Sequence, residues 1–359
     1  MQIKKEYKKI FIYFILSHLI CYGFLYLFYP IFKSFFPQLN FYTIFDAEHY
    51  TNIAKYGYGY DYSEYAFFPF FPLILKIFGK IPTLILNNIF NLLSGIILYE
   101  IISEFFKDKN SLKTVKLFYF SPVTIYTCIL YTESIFILLT FLLYLLYRKK
   151  EKYLLQGLLL GCAVASRSPA SLLFFSIFIF MCINIYKKQE TILNLFKVFI
   201  PATIISSLYP IYLFIKEGDL LLFMHIQFTH WYRIKTNFLE LFKIQYIKIN
   251  NTNEIVIKIV FIIETILYIY FIGLLIYGII KYIKKAPMIS LYTILTFYIT
   301  TTSCNCIESI NGAMLSCHRF FYACLGFIIF MPNKKFFRIC NFLAMIITTA
   351  LFSMGIYFY

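Results

Sequence analysis

Residues 132–147 read Thr-Glu-Ser-Ile-Phe-Ile-Leu-Leu-Thr-Phe-Leu-Leu-Tyr-Leu-Leu-Tyr and run straight into Arg148-Lys149-Lys150. From Ser134 to Tyr147 no charge interrupts the run, and the basic triplet closes it. An apolar run that approaches the roughly 20 residues needed to cross a bilayer, stopped by cations, reads as a membrane span. The rest of the chain repeats this pattern. Of 359 residues, 61% are hydrophobic and 14% are charged; soluble domains carry roughly 45–50% and about 25%. The aromatic content rests on 44 Phe and 33 Tyr with a single Trp. That skew reads as a bias toward Phe, Tyr, Ile, Lys and Asn, so it is weak evidence for sugar stacking.

The apolar runs predict spans over 10–29, 82–105, 117–131, 132–147, 153–167, 168–186, 198–215, 256–280, 288–303, 318–331 and 339–357. The expected fold is therefore an all-α integral membrane protein, a bundle of about eleven transmembrane helices forming one domain over residues 1–359. Pro122, Pro169 and Pro201 are expected near span starts, where a missing N–H matters least. The first span has a basic start, but its apolar stretch is long and no small-residue cleavage site follows. It reads as an uncleaved anchor.

Lysine and arginine give an orientation. With the N-terminus in the cytosol, six short segments on that side hold most of the 33 basic residues: around Lys4–Lys9, Lys107–Lys116, Arg148–Lys152, Lys187–Lys197, Lys281–Lys285 and Lys334–Arg338. The net charge of +16 follows from this topology and from contact with lipid. Nucleic-acid binding is excluded as a function class, because the charges are scattered over separate loops. On the other face lie two long loops, 30–81 and 216–255, which hold Asp46, Glu48, Asp61, Glu64, Glu217, Asp219, Glu240 and Glu254. Amphipathic helices are expected within them. Long mixed loops on a helical scaffold are where function concentrates.

The first loop contains Phe45-Asp46-Ala47-Glu48-His49-Tyr50. On a helix, Asp46, His49 and Tyr50 share one face. A carboxylate beside His and Tyr can deprotonate a hydroxyl; the same stretch also reads as an interfacial helix with solvated acids. Then come Ile53-Ala54-Lys55-Tyr56-Gly57-Tyr58 and Ala66-Phe67-Phe68-Pro69-Phe70-Phe71-Pro72-Leu73. Further on are Ser121-Pro122 with Tyr131-Thr132-Glu133-Ser134-Ile135-Phe136, then Gly157, Gly161 and Ala165-Ser166-Arg167-Ser168. Gly218-Asp219, Phe223, Gln227, Trp231 and Arg233 follow, and last Ser316, His318, Arg319 and Phe320.

This ordered set resembles the PIG-V family, the GPI mannosyltransferase 2 group within the multi-span GT-C glycosyltransferases. The matches run from about residue 45 to 322. Departures include Phe45 where the family pattern has Trp, and a chain shorter than many eukaryotic members. The resemblance implies a fold of GT-C type in the endoplasmic reticulum membrane. It implies transfer of the second mannose, α-1,6-linked, from dolichyl-phosphate-mannose to a GPI precursor on the luminal face, with inversion at the anomeric carbon. It implies lipid contact and a small membrane partner subunit like that of some members. A prokaryotic-type polyprenyl-phosphate-sugar transferase is the neighbouring alternative. A lipid or solute transporter without chemistry is the alternative from another class; it predicts internal repeats and paired broken helices, and no fixed-period repeat is present in the sequence.

Asp46 is the candidate general base. Burial among apolar side chains would push its pKa up toward a useful value. Glu48, His49 and Glu133 are supporting candidates. Arg167, Arg233, His318 and Arg319 are candidates for the donor phosphate, since Arg is permanently charged and can bind phosphate through two N–H groups. For the arginines the competing readings are snorkelling and pairing with Glu133. No cofactor and no metal site are expected, because no His/Asp/Glu cluster has ligand spacing; a divalent cation is left open. Cys304, Cys306 and Cys317 could form a disulfide whose pairing is not readable.

Overall fold

A chain this apolar must satisfy its backbone hydrogen bonds within each segment, and helices do so. The computed structural model describes residues 2–35, 37–38, 40–306, 312–314 and 317–355. In chain order the helices are α1 (Gln2–Leu27), α2 (Tyr29–Phe35), α3 (Asp46–Tyr56), α4 (Phe70–Phe78), α5 (Lys80–Phe105), α6 (Ser111–Tyr119), α7 (Thr124–Thr127), α8 (Glu133–Lys149) and α9 (Tyr153–Ser166). They continue with α10 (Pro169–Tyr186), α11 (Ile192–Glu217), α12 (Leu222–Thr229), α13 (Phe238–Asn251), α14 (Ile255–Tyr282), α15 (Pro287–Thr302), α16 (Cys317–Ala323), α17 (Leu325–Phe330) and α18 (Lys335–Ser353). Two short strands, β1 (Arg233–Lys235) and β2 (Ser303–Asn305), pair antiparallel with Arg233 opposite Asn305.

The protein is an all-α integral membrane protein. Among the described residues, six helices are long and apolar enough to span a bilayer: α1, α5, α10, α11, α14 and α18. Apolar side chains face outward along them, Ile204, Leu208, Ile266 and Ile280 among them. On a soluble protein such a surface would be a liability; in lipid it is the solvated face. Helices α8, α9 and α15 are shorter and complete the bundle.

Two expected spans are not single helices. The run 117–131 breaks after Tyr119, because Ser121-Pro122 cannot continue the hydrogen-bond ladder. The segment is buried, so its freed carbonyls need partners. Asn87 of α5 donates to the carbonyls of Ile129 at 2.7 Å and Tyr131 at 3.0 Å. Tyr22 donates to Cys128 O at 3.0 Å, and Thr124 to Tyr119 O at 2.7 Å. The run 318–331 breaks at Cys324, which is extended. Lys109 closes its far end by donating to Ile329 O, and to Met331 O at 2.7 Å. A lysine on the last carbonyls of a helix is a natural cap.

Of the three prolines, Pro169 lies in the first turn of α10 as expected. Pro201 does not open a helix: α11 begins earlier, with Thr191 accepting from Asn194 N at 3.3 Å, and Pro201 and Pro210 both lie inside it. The Gly157–Gly161 pair has a packing role. A Cβ on Gly157 would meet Val198 O at 2.3 Å, and one on Gly161 would meet Ile205 Cβ at 2.7 Å. The pair lets α9 lie against α11 at close range.

The long loops carry the expected helices, α3 and α4 in the first and α12 and α13 in the second. An aromatic seam joins them. Tyr65 donates to Glu217, Tyr209 donates to Tyr65 O at 2.8 Å, and Trp231 Nε1 donates to Ser63 O at 3.1 Å. Both loops therefore lie together at the end of the bundle away from the basic segments.

Candidate active site

Asp46 opens α3, where the first turn favours a carboxylate through its free N–H groups and the helix dipole. The residue before it, Phe45, has φ 57° and ψ −128°, a conformation that L side chains adopt at a cost of order 1–3 kcal/mol. Strain of this kind fixes where the helix, and so the carboxylate, points. Asp46 Oδ2 accepts from Arg319 Nη1 at 2.6 Å. Asp46 therefore faces a cation, not the apolar wall expected from sequence, because α16 brings Arg319 against the start of α3.

Glu133 opens α8 and is fully buried. Its Oε1 accepts from both Arg319 Nε and Arg167 Nη1. Arg167 leaves the end of α9, where a cation suits the helix C-terminus. The guanidinium of Arg319 lies 4.5 Å from the Tyr131 ring and 5.2 Å from that of Tyr126. That of Arg167 lies 4.8 Å from the Phe320 ring. Two acids and two arginines from distant parts of the chain thus form one chain, Asp46–Arg319–Glu133–Arg167, with no net charge. Buried charges persist only when paired in this way. Arg319 Nη2 and Glu133 Oε2 retain hydrogen-bonding capacity that no group of the described protein takes up.

The remaining candidates fall in three places. His49 lies one turn after Asp46, stacked on Phe67 at 4.8 Å and edge-on to Trp231 at 5.3 Å. Burial lowers its pKa, against the opposing pull of Asp46, so the ring is neutral near pH 7. Glu48 is exposed and diverges from Asp46, as two-residue spacing on a helix dictates. His318 is buried, with Tyr126 Oη 3.3 Å from its Nε2. Ser316, the first residue of the last motif, lies outside the described residues.

Arg233 stands apart, on the wall of a cavity of about 610 Å3. Its Nη1 donates to Ser303 O at 3.0 Å across the β-ribbon. Lys235, two residues on and so on the same face of β1, lines the same cavity. The other walls are mostly apolar, with Phe223, Phe228, Ile299 and Phe320 among them. Arg319 and Phe320 are neighbours in sequence, as are Arg167 and Ser168. In each pair the first residue belongs to the charge chain and the second to the cavity wall. The charge chain therefore backs directly onto the cavity.

Lys235 is not legible as a site residue in the sequence, because the alternation Arg233-Ile234-Lys235 is only three residues long. Among the described residues no three His, Cys, Asp or Glu side chains converge as metal ligands. Cys304, Cys306 and Cys317 are free thiols.

Residues 67–214 match the family described as dolichyl-phosphate-mannose-protein mannosyltransferase. The match covers less than half of the chain. It includes Glu133 and Arg167 and leaves out Asp46, Arg233 and Arg319. No curated protein matches the chain. The family match supports a multi-pass membrane glycosyltransferase of GT-C, mannosyltransferase type, with a polyprenyl-phosphate sugar as the donor class.

Proposed function

We propose that the chain transfers mannose from dolichyl-phosphate-mannose to the second mannose position of a GPI precursor, on the luminal face of the endoplasmic reticulum, with its N-terminus in the cytosol. The observation that carries the transfer chemistry is the charge chain ending on Asp46 beside an apolar cavity that holds Arg233 and Lys235. The apolar walls suit a prenyl chain, and the two cations suit the phosphate.

In this reading Asp46 takes the proton of the acceptor hydroxyl as the new bond to C1 forms. The C1–O bond to phosphate breaks, and its electron pair stays on the phosphate oxygen, where Arg233 and Lys235 balance the growing charge. Arg319 holds Asp46 in place, and Glu133 holds Arg319. Attack from the face opposite the leaving phosphate inverts C1, so a β-linked donor gives an α-linked product. The GPI acceptor, the α-1,6 linkage and a small partner subunit rest on the sequence resemblance to the PIG-V group.

A polypeptide hydroxyl is the second reading of the acceptor. The observation that favours it is the family match itself, whose description names protein as the acceptor.

The test is a transfer assay in membranes containing the chain, with labelled dolichyl-phosphate-mannose and either a one-mannose GPI precursor or a Ser/Thr-rich peptide. Label in the glycolipid is the expected result. Label in the peptide selects the second reading. Label in neither, with folded protein present, overturns both.

A further inference from the structure

We propose that the basic end of the bundle carries a built site for the phosphate head of an anionic phospholipid, distinct from the donor cavity. A second cavity, of about 250 Å3, lies where the ends of α8 and α10 meet the start of α15. It is at the end of α8 opposite Glu133. Its lining includes Arg148, Lys150 and Lys285, with the tyrosines 144, 147 and 153 around them.

The wall keeps a net positive charge: Arg148, Lys150 and Lys285 face one carboxylate there, Glu190, and Asp108 offsets Lys285 from outside the lining. Glu190 also lines the cavity, but its carboxylate already accepts from Tyr153 Oη at 2.7 Å and Asn194 Nδ2 at 2.6 Å. Lys285 is paired with Asp108 at 2.5 Å. Among the described residues neither Arg148 nor Lys150 forms a direct ion pair with a carboxylate, and the Lys150 charge reaches Glu190 only through space. Arg148 donates to Tyr144 Oη at 2.9 Å, with its guanidinium 4.5 Å from the Phe105 ring. Lys150 donates to Gln189 O at 2.9 Å. An arginine held between an aromatic ring and a tyrosine hydroxyl has its fork restrained in advance, which suits two-point recognition of phosphate.

The surroundings select a lipid over a soluble anion. Phe180 and Met181 of α10 form part of the cavity lining. The same helix turns Phe175, Phe178 and Ile179 outward, 58%, 42% and 43% exposed. A phosphate in the cavity would leave its acyl chains beside that apolar face. Basic pockets between transmembrane helices at the interface take lipid head groups on the same physical grounds.

The experiment compares thermal unfolding of the full chain in nanodiscs of phosphatidylcholine alone and with added phosphatidylglycerol, alongside native mass spectrometry of retained lipid. The wild type is expected to unfold at higher temperature with phosphatidylglycerol and to retain it in the spectrometer. Arg148→Gln/Lys150→Gln is expected to lose most of both effects. Lys113→Gln/Lys335→Gln, which removes equal charge from exposed sites, is expected to keep them. Equal lipid responses in the two double variants would overturn the proposal, as would an equal shift from inorganic phosphate. If Arg148→Gln/Lys150→Gln fails to fold, Lys150→Gln alone must still lower retained phosphatidylglycerol for the proposal to stand.

Discussion

The two ends of the helix bundle handle charge in opposite ways. At the basic end, charges are numerous, exposed and loosely paired: Lys149 meets Glu104 at 3.1 Å with both side chains at least one third exposed. At the other end, beneath loops that carry exposed acids such as Glu48, one set of charges is buried and interlocked: Glu133 is fully buried and serves two arginines at once. Exposed pairs contribute roughly 0–1 kcal/mol, whereas removing one partner of a buried pair costs about 3–5 kcal/mol. A chain bears that liability where charge has work to do, and the Asp46 end is also where the helices break and the long loops gather.

The largest expected effect is at the centre of the buried chain. Glu133→Gln leaves Arg167 and Arg319 without their shared carboxylate, and should destabilise the protein by about 3–5 kcal/mol. Thermal unfolding in detergent would read this as a large drop in Tm together with lost transfer activity. A variant as stable as wild type would erase the contrast between the two ends.

Next comes the cavity. Arg233→Gln removes one charge-assisted contact, worth about 1.5–3 kcal/mol, and should raise the donor KM with a smaller change in kcat. An unchanged KM would separate the cavity from the donor.

A smaller effect is expected at Glu64, which is buried and whose carboxylate oxygens meet no well-formed hydrogen bond among the described residues. Burial raises its pKa from 4.5 to about 6. The folded state therefore binds the proton more tightly than the unfolded chain, and stability from this group is complete below pH 4.5 and lost as pH rises through about 6. Glu64→Gln should be more stable than wild type by on the order of 1 kcal/mol at neutral pH, with the gap closing toward pH 4.5. A gap independent of pH would contradict the assignment. His49 works in the other direction. Its pKa is depressed by burial, so its contribution is present above the usual value and lost as pH falls.

The smallest effect belongs to the basic end. Lys149→Gln should change stability by no more than about 1 kcal/mol and leave transfer untouched. A loss comparable to that of Glu133→Gln would mean that the two ends do not differ as described.

Much of this contrast was legible in the sequence. The basic loops, the two long loops and the helix at Asp46 follow from hydropathy, charge counts and spacing. The broken segments were harder to read. Residues 117–131 are apolar throughout, and periodicity does not distinguish a spanning helix from a buried irregular segment. The available clues are Pro122 and Asn87, a polar group inside an apolar helix with backbone to serve. The pairing of Arg167 and Arg319 through Glu133 was open as one alternative. Their convergence across almost 190 residues is a fact of tertiary packing that no local pattern contains. Lys235 was hidden because a three-residue strand gives too little sequence to show alternation.

The most direct test is Asp46→Asn, measured as transfer rate at saturating donor in folded, reconstituted protein. The amide keeps the shape and a hydrogen bond to Arg319 but cannot take the acceptor proton. A fall of about 10²–10⁴-fold with donor binding retained is the predicted result. Transfer at the wild-type rate would remove Asp46 from the reaction and contradict the placement of the active site at this end of the bundle.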